Sequence, residues 1–244
     1  MTPKTAPNAK VYAAITGDVV GSTKLSLSEM KAVRLTIKET VEQFDAEHYH
    51  LDPRHTRLAP RTGVIANGVE FFQGDSWQIV LSDPRYSLRL ALLIQAALRR
   101  QTSTETRIAI GIGTLSGLEK TAAISTGEAL TLSGRALEAM NGNERLTGAL
   151  PEHTHQLAQW FPVLLHLCGT LTRGWTKRQA EVLGHWLLHP HPTYEEIASG
   201  LGITIQSVGG TLLSANLPAF REALELFSST DWQSIAGPRE KRNA

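Results

Sequence analysis

The order of predicted elements in the first 140 residues is the feature that most limits the fold. Short apolar segments rich in β-branched residues alternate with stretches whose apolar residues recur at helical spacing. The strand-like segments are Val11 to Thr16, Val69 to Phe72, Trp77 to Leu81 and Arg107 to Leu115. Helices are predicted after the first, third and fourth of them. The order βα, ββα, βα predicts an α+β domain whose helices cover one face of a sheet.

Composition narrows the class of protein. The chain has 244 residues and a formal net charge of +1, so no global field would hold nucleic acid. Any contact with DNA must therefore come from a local basic patch. The single cysteine, Cys168, excludes an internal disulfide. No apolar run approaches the ~20 residues of a membrane span, and Met1 to Lys10 has no signal core, so we expect a cytoplasmic protein without membrane contact.

Pattern and composition divide the chain into five predicted segments. They are a flexible leader (1–10), an α/β domain (11–141), a helical connector (142–172), a helix-turn-helix domain (173–230) and a tail (231–244).

Two aspartates stand where metal chemistry would be expected. Asp18 follows the first strand, and Asp75 lies in the turn between the second and third. Two carboxylates brought together by neighbouring strands are typical of a site for Mg²⁺ or Mn²⁺ facing a triphosphate. Gly21, Ser22 and Thr23 add backbone N–H groups near a helix start, where phosphate binding is favoured. The alternative is that each aspartate only caps its own turn.

These segments resemble class III adenylate and guanylate cyclases over roughly residues 11 to 140. They are more similar still to the small SatD-like proteins, which carry a cyclase-like domain. The matching segments, in order, are Ile15 to Leu25, Phe72 to Ser76, Arg107 to Gly113 and Gly127 to Leu137.

The resemblance implies an α+β fold, a ferredoxin-like or class III cyclase-like α/β sandwich followed by an all-α helix-turn-helix domain. It also implies that Asp18 and Asp75 hold metal, and that Thr131 and Arg135 occupy the positions of the catalytic pair. A homodimer is expected, because class III cyclases build their sites between two protomers. The alternative to a catalytic role is that Arg135 is only a solvent-exposed residue of the helix.

The chain also departs from the cyclase pattern. Thr131 replaces the usual asparagine, while Phe71 and Ile124 replace the base-selecting lysine and aspartate. Apolar side chains cannot bond a base edge, so the usual purine selectivity is not expected. No strand is predicted after the last helix of the domain, because Pro151 to Leu171 has a helical pattern.

The C-terminal segment resembles the helix-turn-helix of sigma factors and response regulators. The resemblance rests on Glu196-Ile197-Ala198, Leu201-Gly202-Ile203 and Val208, with Thr176 and Thr193 as helix caps. The residues expected to contact DNA are Lys177 and Arg178 for phosphates, and Thr204, Gln206 and Ser207 for bases. The second helix of this motif, which would read the bases, has no lysine or arginine. The alternative is therefore that the C-terminal segment is a protein-interaction module.

Three hypotheses follow for the function. The first is a regulatory, transcriptional protein in which a metal–nucleotide domain dimerises and positions two helix-turn-helix units. The second is an active, divergent cyclase that makes a cyclic nucleotide and carries a regulatory C-terminal module. The third is a scaffold without a ligand. The sequence leaves open whether the protein is an enzyme.

Overall fold

A computed structural model describes residues 10–50, 62–72, 74–117 and 126–236. Residues 1–9 of the expected leader, the tail beyond 236 and the base-selecting position Ile124 lie outside the described residues. The chain forms an antiparallel sheet covered by helices, followed by a helical module, which confirms a mixed α+β protein.

The strands and helices have the following bounds. The strands are β1 (Val11–Val19), β2 (Tyr49–His50), β3 (Thr62–Gly63), β4 (Ile65–Phe72), β5 (Ser76–Leu81), β6 (Thr106–Gly117), β7 (Thr126–Gly127) and β8 (Leu146–Ala149). The helices are α1 (Leu27–Glu47), α2 (Ser87–Gln101), α3 (Glu128–Glu138), α4 (Gln156–Arg173), α5 (Lys177–Leu188), α6 (Tyr194–Leu201), α7 (Ile205–Ser214) and α8 (Leu217–Ser229).

The main sheet has the strand order β4-β5-β1-β6, and β1 is antiparallel to both of its neighbours. The outer edge of β6 pairs with two short strands, β7 antiparallel and β8 parallel. Strands β2 and β3 form a separate two-stranded ribbon. The β4–β5 pair contains register shifts near Asn67, which bend this edge of the sheet.

Strand β8 corrects the expectation that residues 142–172 form only a helical connector without a strand. Leu146 and Gly148 pair with Ile108 and Ile110 of β6, so the sheet continues past α3. Helix α4 then packs on β8, because Gly148 leaves room for Phe161 and Leu165. The helix itself was predicted, and it includes Pro162.

Helices cover both faces of the sheet, unlike the one-sided cover predicted from the element order. The main core lies between one face and helices α1, α2 and α4, and it includes Ile15, Ile79 and Ile110. Helix α3 packs on the opposite face. Its backbone lies against Gly111, which has no side chain to keep it away, and the Ser133 hydroxyl is hydrogen-bonded to the Thr16 hydroxyl (2.7 Å between the oxygens). The sheet is thus enclosed around β1 and β6.

Side-chain caps fix where the helices start. Ser26, Thr176 and Thr193 each accept a hydrogen bond from a backbone N–H three residues on, and Thr204 does the same for α7. The first three form full capping boxes with a glutamate or glutamine. The predicted helix starts at Thr176 and Thr193 are therefore confirmed.

The helical module packs directly on the sheet part. Helix α5 lies against α2, and one continuous hydrophobic core runs from β1 through α2 and α5 to α8. The Arg89 guanidinium of α2 donates to the carbonyl oxygens of Trp186 (2.9 Å), Leu187 (2.8 Å) and His189 (3.2 Å) at the end of α5. After α8, the Gln233 side chain accepts from the backbone N–H of Val11 in β1 (3.1 Å).

Among the described residues, no single helix is long and apolar enough to cross a membrane. Helices α6 and α7 meet the length and composition of a span only when counted together, and they are bent by 105° at their junction.

Replacing Gly111 with alanine tests how α3 packs against the sheet. A Cβ atom there would overlap the backbone of Ala129 and Ser133, so we expect Gly111→Ala to destabilise the fold by about 1–3 kcal/mol in urea denaturation. Gly134 in the same helix has open space around it, and Gly134→Ala should stabilise by about 0.5–1 kcal/mol. Equal effects of the two changes would contradict this packing.

The buried imidazole of His48 makes stability depend on pH. Burial lowers the pKa of His48 to about 4 from its usual 6.5, although a bond from Nδ1 to the Phe44 carbonyl opposes this. The unfolded chain therefore takes up this proton first, and stability falls as pH drops from 6.5 toward 4, by roughly 2–3 kcal/mol. Urea titrations across this range should show a smaller loss in His48→Phe, and an unchanged slope would refute the assignment.

Candidate functional site

The carboxylate of Asp18 is held by an arginine on the neighbouring strand. Asp18 lies opposite Arg107 in the β1–β6 pair. The Arg107 Nε donates to Asp18 Oδ1 (2.9 Å), and Nη2 donates to Oδ2, so both carboxylate oxygens are engaged. The pair is mostly buried, with side-chain exposures of 29% for Arg107 and 19% for Asp18.

Asp75 lies beside this pair, in the turn between β4 and β5. Asp18 is opposite Ser76, the next residue, and the Val19 N–H donates to the Asp75 carbonyl (3.3 Å). The bond to Asp18, together with the charges of Asp18 and Asp75, raises the pKa of Arg107 above its usual value despite burial. The two aspartates therefore share one end of the sheet, and Arg107 lies within the field of both.

The predicted phosphate loop meets Asp75. Gly21 has a left-handed backbone (φ 67°), and Ser22–Lys24 form a short 3-10 turn. The Ser22 hydroxyl donates to Asp75 Oδ2. Ser22 and Thr23 line an open groove of about 500 Å³ that also includes Asp75.

Two cations line the same groove. Lys31 and Arg34 project from α1, and the Arg34 Nη2 donates to the Gly74 carbonyl. The Arg34 guanidinium lies over the Phe71 ring, 5.3 Å from its centroid. Phe71, which the resemblance placed at a base-selecting position, thus lies under an arginine.

The start of α1 does not offer the open helix end that was expected for a phosphate. Ser26 and Glu29 form a capping box there: the Ser26 hydroxyl accepts from the Glu29 N–H (3.3 Å), and Glu29 Oε2 accepts from the Ser26 N–H (2.8 Å). The Glu29 carboxylate also places a negative charge in the first turn, which opposes an anion. Any phosphate in the groove would rely on Lys31 and Arg34.

Thr131 and Arg135 lie on the outer side of α3. The Thr131 hydroxyl donates to the Gly127 carbonyl (3.1 Å), and both residues are exposed. The Arg135 side chain makes no hydrogen bond or ion pair with any residue in the described part of the chain. Ser133 and Leu137, between and after them, face the sheet. Within one chain the predicted catalytic pair is therefore not brought to Asp18 and Asp75.

The residues at this end of the sheet do not by themselves fit a resident metal ion. Both oxygens of Asp18 are taken by Arg107, and one oxygen of Asp75 is taken by Ser22. Within the described ranges, no group of three or more His, Cys, Asp or Glu residues could hold a metal ion. A divalent cation would need further ligands from a bound molecule.

The second predicted site, where the sequence resembles a helix-turn-helix, consists of α6 and α7 joined by a short turn. The two helices are bent by 105° and joined through Gly202, whose left-handed backbone (φ 63°) ends α6. Ile197, Val208 and Leu212 are buried at their contact. An angle near 100° and a glycine turn are typical of this motif.

The predicted DNA contacts lie at opposite ends of α7. Gln206 and Ser207 are exposed in the first turn, while the Thr204 hydroxyl accepts the cap bond from the Ser207 N–H (3.1 Å). Lys177 and Arg178 are exposed at the start of α5. This start lies beside the other end of α7, because Gln179 Nε2 donates to the carbonyl oxygen of Ser214 (3.0 Å).

The charge at this surface is partly neutralised. Arg178 pairs with Glu181 (2.5 Å), which leaves Lys177 as the unpaired cation of the two. The outer side of α7 is uncharged and includes Leu213, which is 68% exposed.

Comparison with known proteins gives no relative: no protein-family profile matches the chain, and no curated protein matches it.

Sequence reasoning found both aspartates but missed the cations around them. Arg107 is the one charged residue of β6, which is a signal that its charge has a partner on the next strand. Lys31 and Arg34 recur at i, i+3 on α1 and could have been assigned to one side of that helix.

Proposed function

We propose that this chain is a cytoplasmic transcription regulator, in which a cyclase-like α/β part binds a nucleotide and is coupled to a DNA-binding helix-turn-helix. The observation that carries the proposal is the α6–α7 unit, with its 105° bend, its glycine turn and an exposed polar first turn on α7. The first turn of the second helix is where this motif reads base edges. Gln206 and Ser207 are the side chains available there.

The strand order supports the cyclase-like assignment of the sheet part. Apart from the separate β2–β3 ribbon, the elements β1, α1, β4, β5, α2 and β6 follow one another along the chain as βαββαβ, the order of ferredoxin-like folds. The two aspartates at one end of the central strands agree with the segments that resemble class III cyclases.

The groove between α1 and the β4–β5 turn is the proposed nucleotide site. Lys31, Arg34 and Arg107 would meet the phosphates, which would then compete with Asp18 for the Arg107 guanidinium. A released Asp18 and Asp75 would hold Mg²⁺ or Mn²⁺ together with phosphate oxygens, and the cation would neutralise the triphosphate charge. Cation and nucleotide would therefore bind together.

A homodimer is part of the proposal. Thr131 and Arg135 face outward, so they could complete only the site of a second protomer. A two-fold dimer would also present two α7 helices to the two halves of a DNA site.

A divergent active cyclase is the second candidate, because the exposed Arg135 has no partner in the described part of the chain and is free to meet a nucleotide held by a second copy. Cyclic product formed with Mn²⁺ and a nucleoside triphosphate, and lost in both Asp75→Ala and Arg135→Ala, would favour this candidate.

Binding to a fluorescently labelled genomic DNA pool tests the regulator. We expect anisotropy to show salt-sensitive binding that weakens about tenfold in the double variant Lys177→Gln, Arg178→Gln, because counterion release supplies most of the affinity. The slope of log affinity against log salt should fall by roughly one per lost phosphate contact. Lys38→Gln removes one exposed charge from α1 and should bind like the wild type. DNA binding that is absent, or equally weak in the Lys38 variant, would refute the assigned surface.

Thermal melting with Mn²⁺ and nucleoside triphosphates tests the nucleotide site. Because Arg107 occupies both oxygens of Asp18 until a nucleotide binds, Mn²⁺ alone should leave Tm unchanged, while Mn²⁺ with a triphosphate should raise it by several degrees. Asp75→Ala should abolish the rise, and Glu70→Gln serves as the matched control in β4. A rise with Mn²⁺ alone that survives Asp75→Ala would contradict the site.

A further inference from the structure

A cleft lies at the junction between the sheet part and the helical module. It has a volume of about 300 Å³, within the range of small-molecule sites. Residues from α2, its preceding turn, α5 and α8 line it, among them Arg85, Tyr86, Arg89, Trp186, Arg221 and Glu225. This junction cleft is separate from the groove beside Asp75.

The charge of the junction cleft is positive. Three arginines and one glutamate line it, and Asp83 outside it pairs with Arg85 (2.6 Å). Arg221 is exposed and makes no ion pair with Glu225, one turn further along α8, or with any other residue of the described ranges. A surface cation without a carboxylate partner is available to an anion.

Arg89 provides a fixed charge at the base of the cleft. Its hydrogen bonds go to the three carbonyl oxygens at the end of α5, and no carboxylate among the described residues pairs with it. Carbonyl dipoles hold the guanidinium in place without cancelling its charge.

Aromatic groups also contribute to the lining. The guanidinium groups of Arg89 and Arg221 lie 4.8 and 5.9 Å from the Trp186 ring centroid. Tyr86 and the neutral ring of His48 add further flat surface. Cations beside aromatic rings are the combination that binds a flat anion, since the ring contacts the apolar part and the arginines contact the charge.

We infer that the junction cleft binds a small organic anion: a flat ring that carries a carboxylate or a phosphate group. The anionic group would contact Arg221 within the field of Arg89, and the ring would lie against Tyr86 and Trp186. Because the cleft is built from both parts of the chain, an occupant would bridge α2 and α8. The inference does not depend on whether the helix-turn-helix binds DNA.

Calorimetric titration of the full chain tests the inference with four probes: benzoate, phenyl phosphate, neutral benzamide and inorganic phosphate. We expect at least one of the two ring-bearing anions to bind with a stoichiometry of one, benzamide not to bind, and inorganic phosphate to bind at least about tenfold more weakly than phenyl phosphate. The tighter-binding of the two ring-bearing anions shows whether the cleft prefers a carboxylate or a phosphate group.

Three variants locate the binding. Arg221→Gln should weaken binding at least about tenfold, whereas Arg100→Gln, an exposed arginine of α2 outside the cleft, should leave it unchanged. Glu225→Gln should tighten binding, because it removes the one carboxylate of the lining. It keeps the test decisive if Arg221→Gln fails to fold. The inference is overturned if neither ring-bearing anion binds at about 10 mM, if benzamide binds as well as the anions, or if Arg100→Gln weakens binding as much as Arg221→Gln.

Discussion

Helix α2 is buried on opposite sides, and this constraint connects the two parts of the chain. Ten of its 15 residues are buried, including Leu88, Leu92 and Ile94. A helix that is apolar on most of its surface cannot remain against a sheet with its other side in water. Helix α5 supplies the missing cover, and Arg89 fixes the contact through the end of α5. The helical module is thus part of the structure that keeps the sheet part folded.

The elements that sequence reasoning predicted well are those with local signals. Helix starts at Thr176 and Thr193 follow from capping chemistry within four residues, and β1 and β6 follow from runs of β-branched residues. Strand β8 was not predicted because it has only four residues, including Gly148, and the strand that it pairs with lies far away in sequence. The position of α3 on the other face of the sheet was not predicted either, because it depends on glycine at position 111, where any side chain would overlap the helix.

The candidate site was predicted in position but not in its electrostatics. That Asp18 and Asp75 meet at one end of the sheet follows from strand order, which the pattern of elements indicates. That Arg107 neutralises Asp18 depends on the register between β1 and β6, which no local pattern determines. Nor does helix spacing show that Thr131 and Arg135 face away from the sheet, because α3 lies on the face that was expected to be bare. The proposed nucleotide chemistry must therefore begin from an ion pair and not from two free carboxylates.

The bond between Val11 and Gln233 has a consequence for how the chain is made. The first strand leaves the ribosome early, yet its N–H group meets this acceptor only after some 220 further residues have been synthesised. Strands β5 and β6, which pair with β1 on its two sides, are synthesised well before Gln233, so the sheet can form around β1 before this bond is made. The contact between β1 and the segment after α8 is therefore among the last to form during synthesis, after the central strands have already paired.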